Sequence, residues 1–424
     1  MRIDSIKLTN FRGAFDLRLT LNERINVFAG VNGAGKSSVL DALALALSWA
    51  VSRIRHTTAS GRPIAEADIT NGKSTATIEL SCNSARGSVA WKLSKSRAGH
   101  ASEDKSSFHE LKEFIHDLQE QISQTQERCN LPLFVYYPVN RAVLDIPLRI
   151  KERHRFSPLS AYDDALTSGA NFRTFFEWFR EREDLENEHR KYRDDLVKPD
   201  DYCFPDRELE AVRGALACFM PDFTNLTVRR NPLRMEVEKL GKRLSVSQLS
   251  DGEKCMIALI GDLARRLAIA NPTLDDPLQG QGVVLIDEVD LHLHPKWQRL
   301  MVPKLIEVFG QCQFILSTHS AHVITHVQPD CLYLLAQTEQ GLQTEHPRES
   351  FGMSAERVLE DLMGLPTTRP ESVETDLHAL FLAIDKNELS EAKKMIDALR
   401  NDIGDDPDLV RADVLIRRKE VIGR

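Results

Sequence analysis

Four short, continuous apolar runs punctuate a chain whose remaining segments mostly alternate or follow a helical period: residues 25–29 (INVFA), 133–138 (LFVYYP), 282–286 (GVVLI) and 313–318 (QFILST). Each reads as a buried strand of a sheet core. Residues 2–9, 15–21, 75–82 and 88–93 alternate apolar and polar positions, the last two as an antiparallel hairpin. Residues 226–230, 235–240 and 242–246 form a second group of strands. Helical periodicity covers 37–50 and 255–270, and residues 102–129 are polar but helix-compatible. From 141 to 222 the pattern is helical. There Phe172, Phe175, Phe176 and Phe179 recur at helical spacing ahead of dense mixed charge, with Glu186 and Arg190 at i, i+4. That stripe either packs in a core, the preferred reading, or meets a partner. Residues 52–72 read as a polar surface loop. After residue 336 the chain predicts four short helices, near 354–363, 371–385, 388–400 and 407–420, which pack on the core or hold a partner.

Composition narrows the class. The 424 residues suffice for two to three domains or one large α/β domain with insertions. Hydrophobic residues at 42% and charged residues at 28% are ordinary for a soluble globular protein. No apolar run approaches the roughly 18 residues expected of a membrane span, and the N-terminus lacks a signal peptide's apolar core. Seven scattered cysteines without a C-x-x-C pair indicate neither zinc nor a disulfide framework, so the expectation is a cytoplasmic protein with reduced thiols. A net charge of −8 requires any nucleic-acid binding to come from a local basic surface. Arg229, Arg230, Arg234, Lys239, Lys242 and Arg243 form one candidate cluster, and Arg149, Lys151, Arg153 and Arg155 another; both also fit a solvated surface.

The chemistry concentrates at the ends of the apolar runs. Residues 30–37 (GVNGAGKS) match G-x-x-x-x-G-K-[ST] between a strand and an apolar helix, the context a phosphate-binding loop needs. Its glycines let backbone N–H groups turn around the β-phosphate, the helix N-terminus adds positive charge, Lys36 reaches the β/γ-phosphates and Ser37 offers a hydroxyl to Mg²⁺. Asn32, Gly33, Gly35 and Ser38 complete the expected nucleotide-binding loop. Residues 247–254 (SQLSDGEK) open an apolar helix. Ser250 and the Gly252 backbone form a second anion site there, while Ser250 and Glu253 also fit a capping box. The run 282–286 ends in Asp287 and Glu288, and a buried strand does not normally finish in paired carboxylates without a cation. Asp287 is placed for Mg²⁺ and Glu288 to polarise the attacking water. His292 and His294 follow on a loop without further clustered ligands, so a loop that touches a partner subunit is preferred over a metal site. His319, at the end of the fourth run, either is structural or, as preferred, contacts the γ-phosphate or the attacking water.

In this order the motifs resemble the ABC-type ATPases of the RecF/SMC/OLD branch. The resemblance covers a Walker A motif (30–37), a signature (249–254, LSDGEK), a Walker B motif (283–288), a D-loop (290–295) and a switch histidine, His319. Asn10-Phe11-Arg12-Gly13 resembles the branch's N-F-R motif, which implies that Arg12 lies near the nucleotide. Asp251 stands where glycine is commoner, leaving Ser250 and Gly252 unaltered. The usual Q-loop glutamine is not evident, its place being held by Val139-Asn140-Arg141. The resemblance implies ATP and Mg²⁺, and a homodimer in which each subunit's signature closes over the other's nucleotide.

There are no sustained heptads, as SMC proteins have between their halves, and the tail lacks the acidic strand ends of a Toprim nuclease, so no nuclease activity is expected of this chain. The runs 66–72, 133–150, 175–188, 249–272 and 290–299 are most similar to the PtuA ATPases of Septu and retron anti-phage systems. That similarity implies a separate HNH-type nuclease effector and, in a retron, a reverse transcriptase with its RNA–DNA product. The expected architecture is α/β, an ABC-type (RecF/SMC-like) P-loop ATPase with a mixed sheet core and an antiparallel β lobe. An N-terminal lobe (1–140), a helical insertion (141–225), a C-terminal lobe (226–345) and a helical tail (346–424) divide it. The competing function is a RecF-like repair ATPase that clamps duplex DNA; a transporter ATPase lacks any membrane-partner signal.

Overall fold

The computed structural model describes the chain except residues 85–86, 101–103, 126–128, 140–155, 168–171, 196, 200–201 and 423–424. Asn140, Arg141 and the basic residues 149–155 therefore lie outside the described residues. The chain divides into two compact units, Met1–Ser354 and Ala355–Arg424.

The first unit is built on a six-stranded mixed sheet. Four of its strands, β3 (Ile25–Ala29), β6 (Leu133–Tyr137), β10 (Gly282–Ile286) and β11 (Cys312–Thr318), are buried at every residue. They pair in parallel: β10 with β6 and β11, and β11 with β3. A parallel sheet covered on both faces has no solvent side, which is why these four segments are apolar runs instead of alternating ones. Two further strands, β12 (Leu332–Thr338) and β13 (Gly341–Glu345), complete the order β13-β12-β3-β11-β10-β6. This hairpin was not foreseen from the sequence, although Gln340 and Gly341 between two strand-like runs carry a turn signal. The register is level where chemistry is expected: Ile286 lies opposite both Tyr137 and Leu316, and Thr318 opposite Ala29.

Two antiparallel sheets flank this core. One joins β1 (Arg2–Phe11), β2 (Ala14–Thr20), β4 (Thr75–Ser84) and β5 (Gly87–Ser96) in the order β2-β1-β4-β5. The other is β7 (Phe223–Arg230), β8 (Leu233–Lys239) and β9 (Lys242–Ser245). Gln313, fully buried in β11, fastens the first of them to the core. Its amide donates to the carbonyls of Ile3 and Asn22 at 2.8 Å, and its Oε1 accepts from the Ile3 N–H at 2.7 Å. A polar residue is tolerated in that strand because its bonds are satisfied.

Helix α1 (Lys36–Arg55) leaves the β3 loop and runs five residues beyond the expected end. By length and composition it could cross a membrane, which corrects the expectation that no segment approaches a span; 72% of its apolar window is buried inside the protein. Helix α2 (His109–Gln124) occupies the polar stretch. In the insertion, α3 (Phe172–Arg190) buries Phe172, Phe175, Phe176 and Phe179, so the aromatic stripe is core packing. Beyond it, α4 (Arg207–Phe219) leads into β7, and α5 (Asp251–Ala270) and α6 (Pro295–Val308) follow the two later motifs. None of the seven cysteines is in a disulfide.

The second unit is a small helical body. Glu371–Asp385, Leu389–Ile403 and Pro407–Ile422 enclose a core that includes Leu380, Ile384, Ala392, Ile396, Leu409 and Ala412. The helix expected near 354–363 is present as an α-helical turn, Ala355–Arg357, continued by a wider π-helical turn, Val358–Leu362. Gly364, Pro366 and Pro370 stop it from continuing.

Candidate active site

The C-terminal ends of β3, β10 and β11 meet at one edge of the central sheet, the edge at which ligands bind in open α/β sheets. From β3 the chain enters the loop through Gly30. Gly33 and Gly35 have φ of +80° and +93°, and Gly35 is the residue before α1. Glycine holds such angles without strain, which lets the chain turn from β3 into the start of α1. Lys36 is buried. Its Nζ donates to the carbonyls of Gly30 at 2.9 Å and Val31 at 3.1 Å, so the ammonium arches back over the loop it follows. Burial lowers its pKa, and the nearby charges of Asp287, Glu288 and Asp290 oppose that shift. Asn32, Gly33 and Ser37 are exposed and Ser38 is half-buried, open to an incoming group. A side chain added at Gly33 would meet nothing within 4 Å.

Asp287 follows β10 and is 3% exposed, its N–H bonded to the Tyr137 carbonyl at 2.9 Å. Ser317, fully buried at the end of β11, holds both acids. Its Oγ donates to the Asp287 carboxylate and accepts from the Glu288 N–H at 2.7 Å, and its carbonyl accepts from the Val289 N–H at 2.9 Å. Glu288 adopts φ +46°, an unusual conformation for a non-glycine residue. The adjoining Thr318 hydroxyl donates to Asp290, and Ser320 donates to Gln298 at 2.8 Å. The Gln298 amide in turn donates to the Leu293 carbonyl at 2.9 Å. Sequence reasoning gave no role to Ser317, Thr318 or Gln298. The available signal was a run of hydroxyl residues flanking His319 at the end of an otherwise apolar strand.

His319 is half-buried, and its pKa is lowered by burial and by the charge of Lys36 against the pull of Glu288, Asp290 and Asp287. The imidazole is therefore held neutral among Lys36 and the acidic strand end. Lys36, Asp287, Glu288 and His319, expected from separate motifs, are in electrostatic range of one another. Ser37 stands on the same loop. An ammonium, a glycine loop at a helix N-terminus, a hydroxyl and a buried carboxylate suit a polyphosphate with its divalent cation.

Arg12, at φ +49° in the β1–β2 turn, reaches the first turns of α1. Its guanidinium pairs with Asp41 at 2.7 Å and Asp68 at 2.9 Å and lies 3.5 Å from the Ser38 hydroxyl. Although burial opposes it, those two carboxylates keep its pKa raised. Tyr136 donates to the other Asp41 oxygen at 3.0 Å, so Asp41, a lone acid in an apolar helix, ties the N-terminal turn to β6.

The second anion site is separate. Ser250 is exposed and caps α5: its Oγ accepts from the Glu253 N–H at 3.4 Å, and Glu253 accepts from the Ser250 N–H at 2.8 Å. Glu253 is also paired with Lys239. Gly252 has a further reason to be glycine, since a Cβ there would stand 2.4 Å from the His292 carbonyl. Among the described residues, no hydrogen bond or ion pair joins residues 250–254 to residues 30–38. His294 caps α6 by accepting from the Lys296 N–H at 3.2 Å, and no group of metal ligands occurs among the described residues.

A P-loop and an acidic strand end facing a histidine, with a Leu-Ser-x-Gly-Glu turn on a helix of its own, define an ABC-type ATPase of the RecF/SMC-like kind. The chain belongs to the family described as "AAA domain, putative AbiEii toxin, Type IV TA system", whose pattern matches residues 25–325. It is 30% identical to the retron Ec83 probable ATPase of Escherichia coli, over 99% of this chain and 87% of that protein. The retron Vc95 probable ATPase of Vibrio cholerae is 30% identical over 85% of this chain and 78% of its own length. The Septu protein PtuA of Bacillus thuringiensis is 37% identical over 94 residues, 21% of this chain and 24% of that protein.

Proposed function

We propose that this chain is the ATP-binding and ATP-hydrolysing regulatory subunit of an anti-phage defence complex, dimerising around ATP and controlling a separate nuclease effector. The observation that carries the reading is the meeting of Lys36, Asp287, Glu288 and His319 in one chain while Ser250 is exposed and Gly252 half-buried, without a bond to residues 30–38 among the described residues. A signature turn with no link to its own loop is free to close over a nucleotide held by a second copy. The retron and Septu relatives support the defence setting.

In this reading the loop N–H groups and Lys36 bind the phosphates, and Ser37 and Asp287 would hold Mg²⁺, which would supply positive charge against the phosphoryl oxygens. Glu288 orients and deprotonates the attacking water. Neutral His319 donates toward the γ-phosphate, and Ser317 keeps both acids in place. Arg12 stabilises the start of α1 beside Ser38 through Asp41 and Asp68.

DNA clamping by a RecF-like repair ATPase is the weaker reading. Of the six basic residues at 229–243, Arg229, Arg230, Arg234 and Lys239 are already paired with carboxylates of this chain. The decisive experiment is a pull-down of the tagged protein, expressed with its neighbouring genes, with and without ATP. Recovery of an HNH-type nuclease, or of a reverse transcriptase with its RNA–DNA product, supports the proposal; recovery of duplex DNA alone, released by salt, overturns it. Light scattering tests the sandwich: Ser250→Arg is expected to abolish ATP-dependent association, and undiminished association refutes it.

A further inference from the structure

A second cavity opens at the opposite end of the central sheet. Pro132, Gln281 and Gln311, the residues immediately before β6, β10 and β11, all line it. It lies one strand length, about 16 Å, from the edge that carries Asp287. Its volume is about 480 Å³, within the range of about 300–1,000 Å³ that small-molecule sites occupy.

The lining has a definite chemistry. Phe114, Leu118, Leu131 and Leu274 give it apolar walls, with Phe114 half-buried and so presenting part of its ring. The polar side chains are almost all carboxamides, and among the described residues no Asp, Glu, Lys or Arg lines it; the one cation is the Met1 ammonium, which donates to Gln281 Oε1 at 2.7 Å. Asn271 is 2% exposed. Its Nδ2 is fixed to the Leu267 carbonyl at 3.0 Å, while no hydrogen bond reaches its Oδ1 among the described residues. Asn130 is the complement: its Oδ1 accepts from the Thr273 N–H at 3.2 Å and its Nδ2 is left to donate. The side-chain amides of Gln121 and Gln311 make no hydrogen bond among the described residues. The walls thus offer uncharged side-chain donors and acceptors together beside an aromatic ring.

We propose that this cavity binds a purine base. A carboxamide matches the adjacent donor and acceptor of a purine edge, and an aromatic ring supplies a stacking surface. The Met1 ammonium is already engaged by Gln281, and no Lys or Arg among the described lining residues offers a phosphate a partner as Lys36 does at the other end of the sheet. The base comes either from a free nucleoside or from a nucleotide turned out of a single strand.

The test is calorimetric titration of the full chain, its P-loop first saturated with a non-hydrolysable ATP analogue, with adenosine, guanosine and a short purine-rich single strand. Saturable binding of a nucleoside is expected, and Gln121→Leu/Gln311→Leu should weaken it at least about tenfold while leaving ATP hydrolysis without ligand unchanged. Leu274→Trp, which fills the cavity, should abolish it, with a melting curve to establish folding. Binding of the single strand alone, lost in the same variants, also supports the site and identifies the strand as the source. Absence of saturable binding by every probe, or binding undiminished in both variants, overturns the proposal.

Discussion

Ser317→Ala is the sharpest probe of how the acidic strand end is held. One buried oxygen donates to Asp287 and accepts from the Glu288 N–H at 2.7 Å. Removing it deprives a carboxylate of a donor and leaves a backbone N–H without its acceptor. A hydrogen bond to a charged group contributes about 1.5–3 kcal/mol, and the left-handed conformation of Glu288 stores about 1–3 kcal/mol that the lost bond helps to contain. If the loss falls on the transition state, at about 1.4 kcal/mol per tenfold, kcat should drop by about 10- to 100-fold. The KM for ATP should stay near its original value, because Lys36 and the loop are carried by β3 and α1. Steady-state phosphate release at varied ATP and Mg²⁺ reads both quantities, with a melting curve to separate a folding defect. A kcat within about twofold of the parent protein would refute the positioning argument.

Three further outcomes follow from the same geometry. Gly252→Ala places a Cβ 2.4 Å from a backbone carbonyl, so the D-loop must shift; a destabilisation of about 1–3 kcal/mol in urea unfolding is expected, and none would mean the contact is loose. Lys36→Ala should weaken binding of MgATP at least about tenfold by calorimetry, since it removes the loop's ammonium; unchanged affinity would take the loop out of the mechanism. The lowered pKa of His319 keeps it neutral above its ordinary value of 6.5, so it costs no stability there. As pH falls below 6.5 the unfolded chain binds the proton more readily, and stability declines. Stability curves compared with His319→Gln should therefore diverge only below that pH, and divergence above it would overturn the assignment.

Much of the ATPase core was legible because its chemistry is local. A glycine loop needs its residues consecutive, and a strand buried on both faces must be apolar along its whole length, so residues 25–37, 282–288 and 313–319 could be read as strands ending in function. Capping is local too, and Ser250 with Glu253 closed the box their spacing suggested. The positions of Asp41, Tyr136 and Ser317 were not legible. Nothing in the sequence says that residue 12 will find residues 41 and 68, or that residue 317 will hold residue 287; those pairings depend on strand order and register. The β12–β13 hairpin escaped for a related reason, since an edge pair is only partly buried and its pattern is weak.

The sequence by itself determined which residues form the strands, the phosphate loop and the capped signature helix, because hydrophobic period, glycine placement and capping act over a few residues. Only the tertiary structure decided that three strand ends stand level at one edge. It also separated the signature turn from its own loop and opened a carboxamide-lined cavity at the far end of the same strands. Those outcomes depend on how β6, β10, β11 and β3 pair, and pairing between segments as much as 290 positions apart leaves no mark in any local pattern.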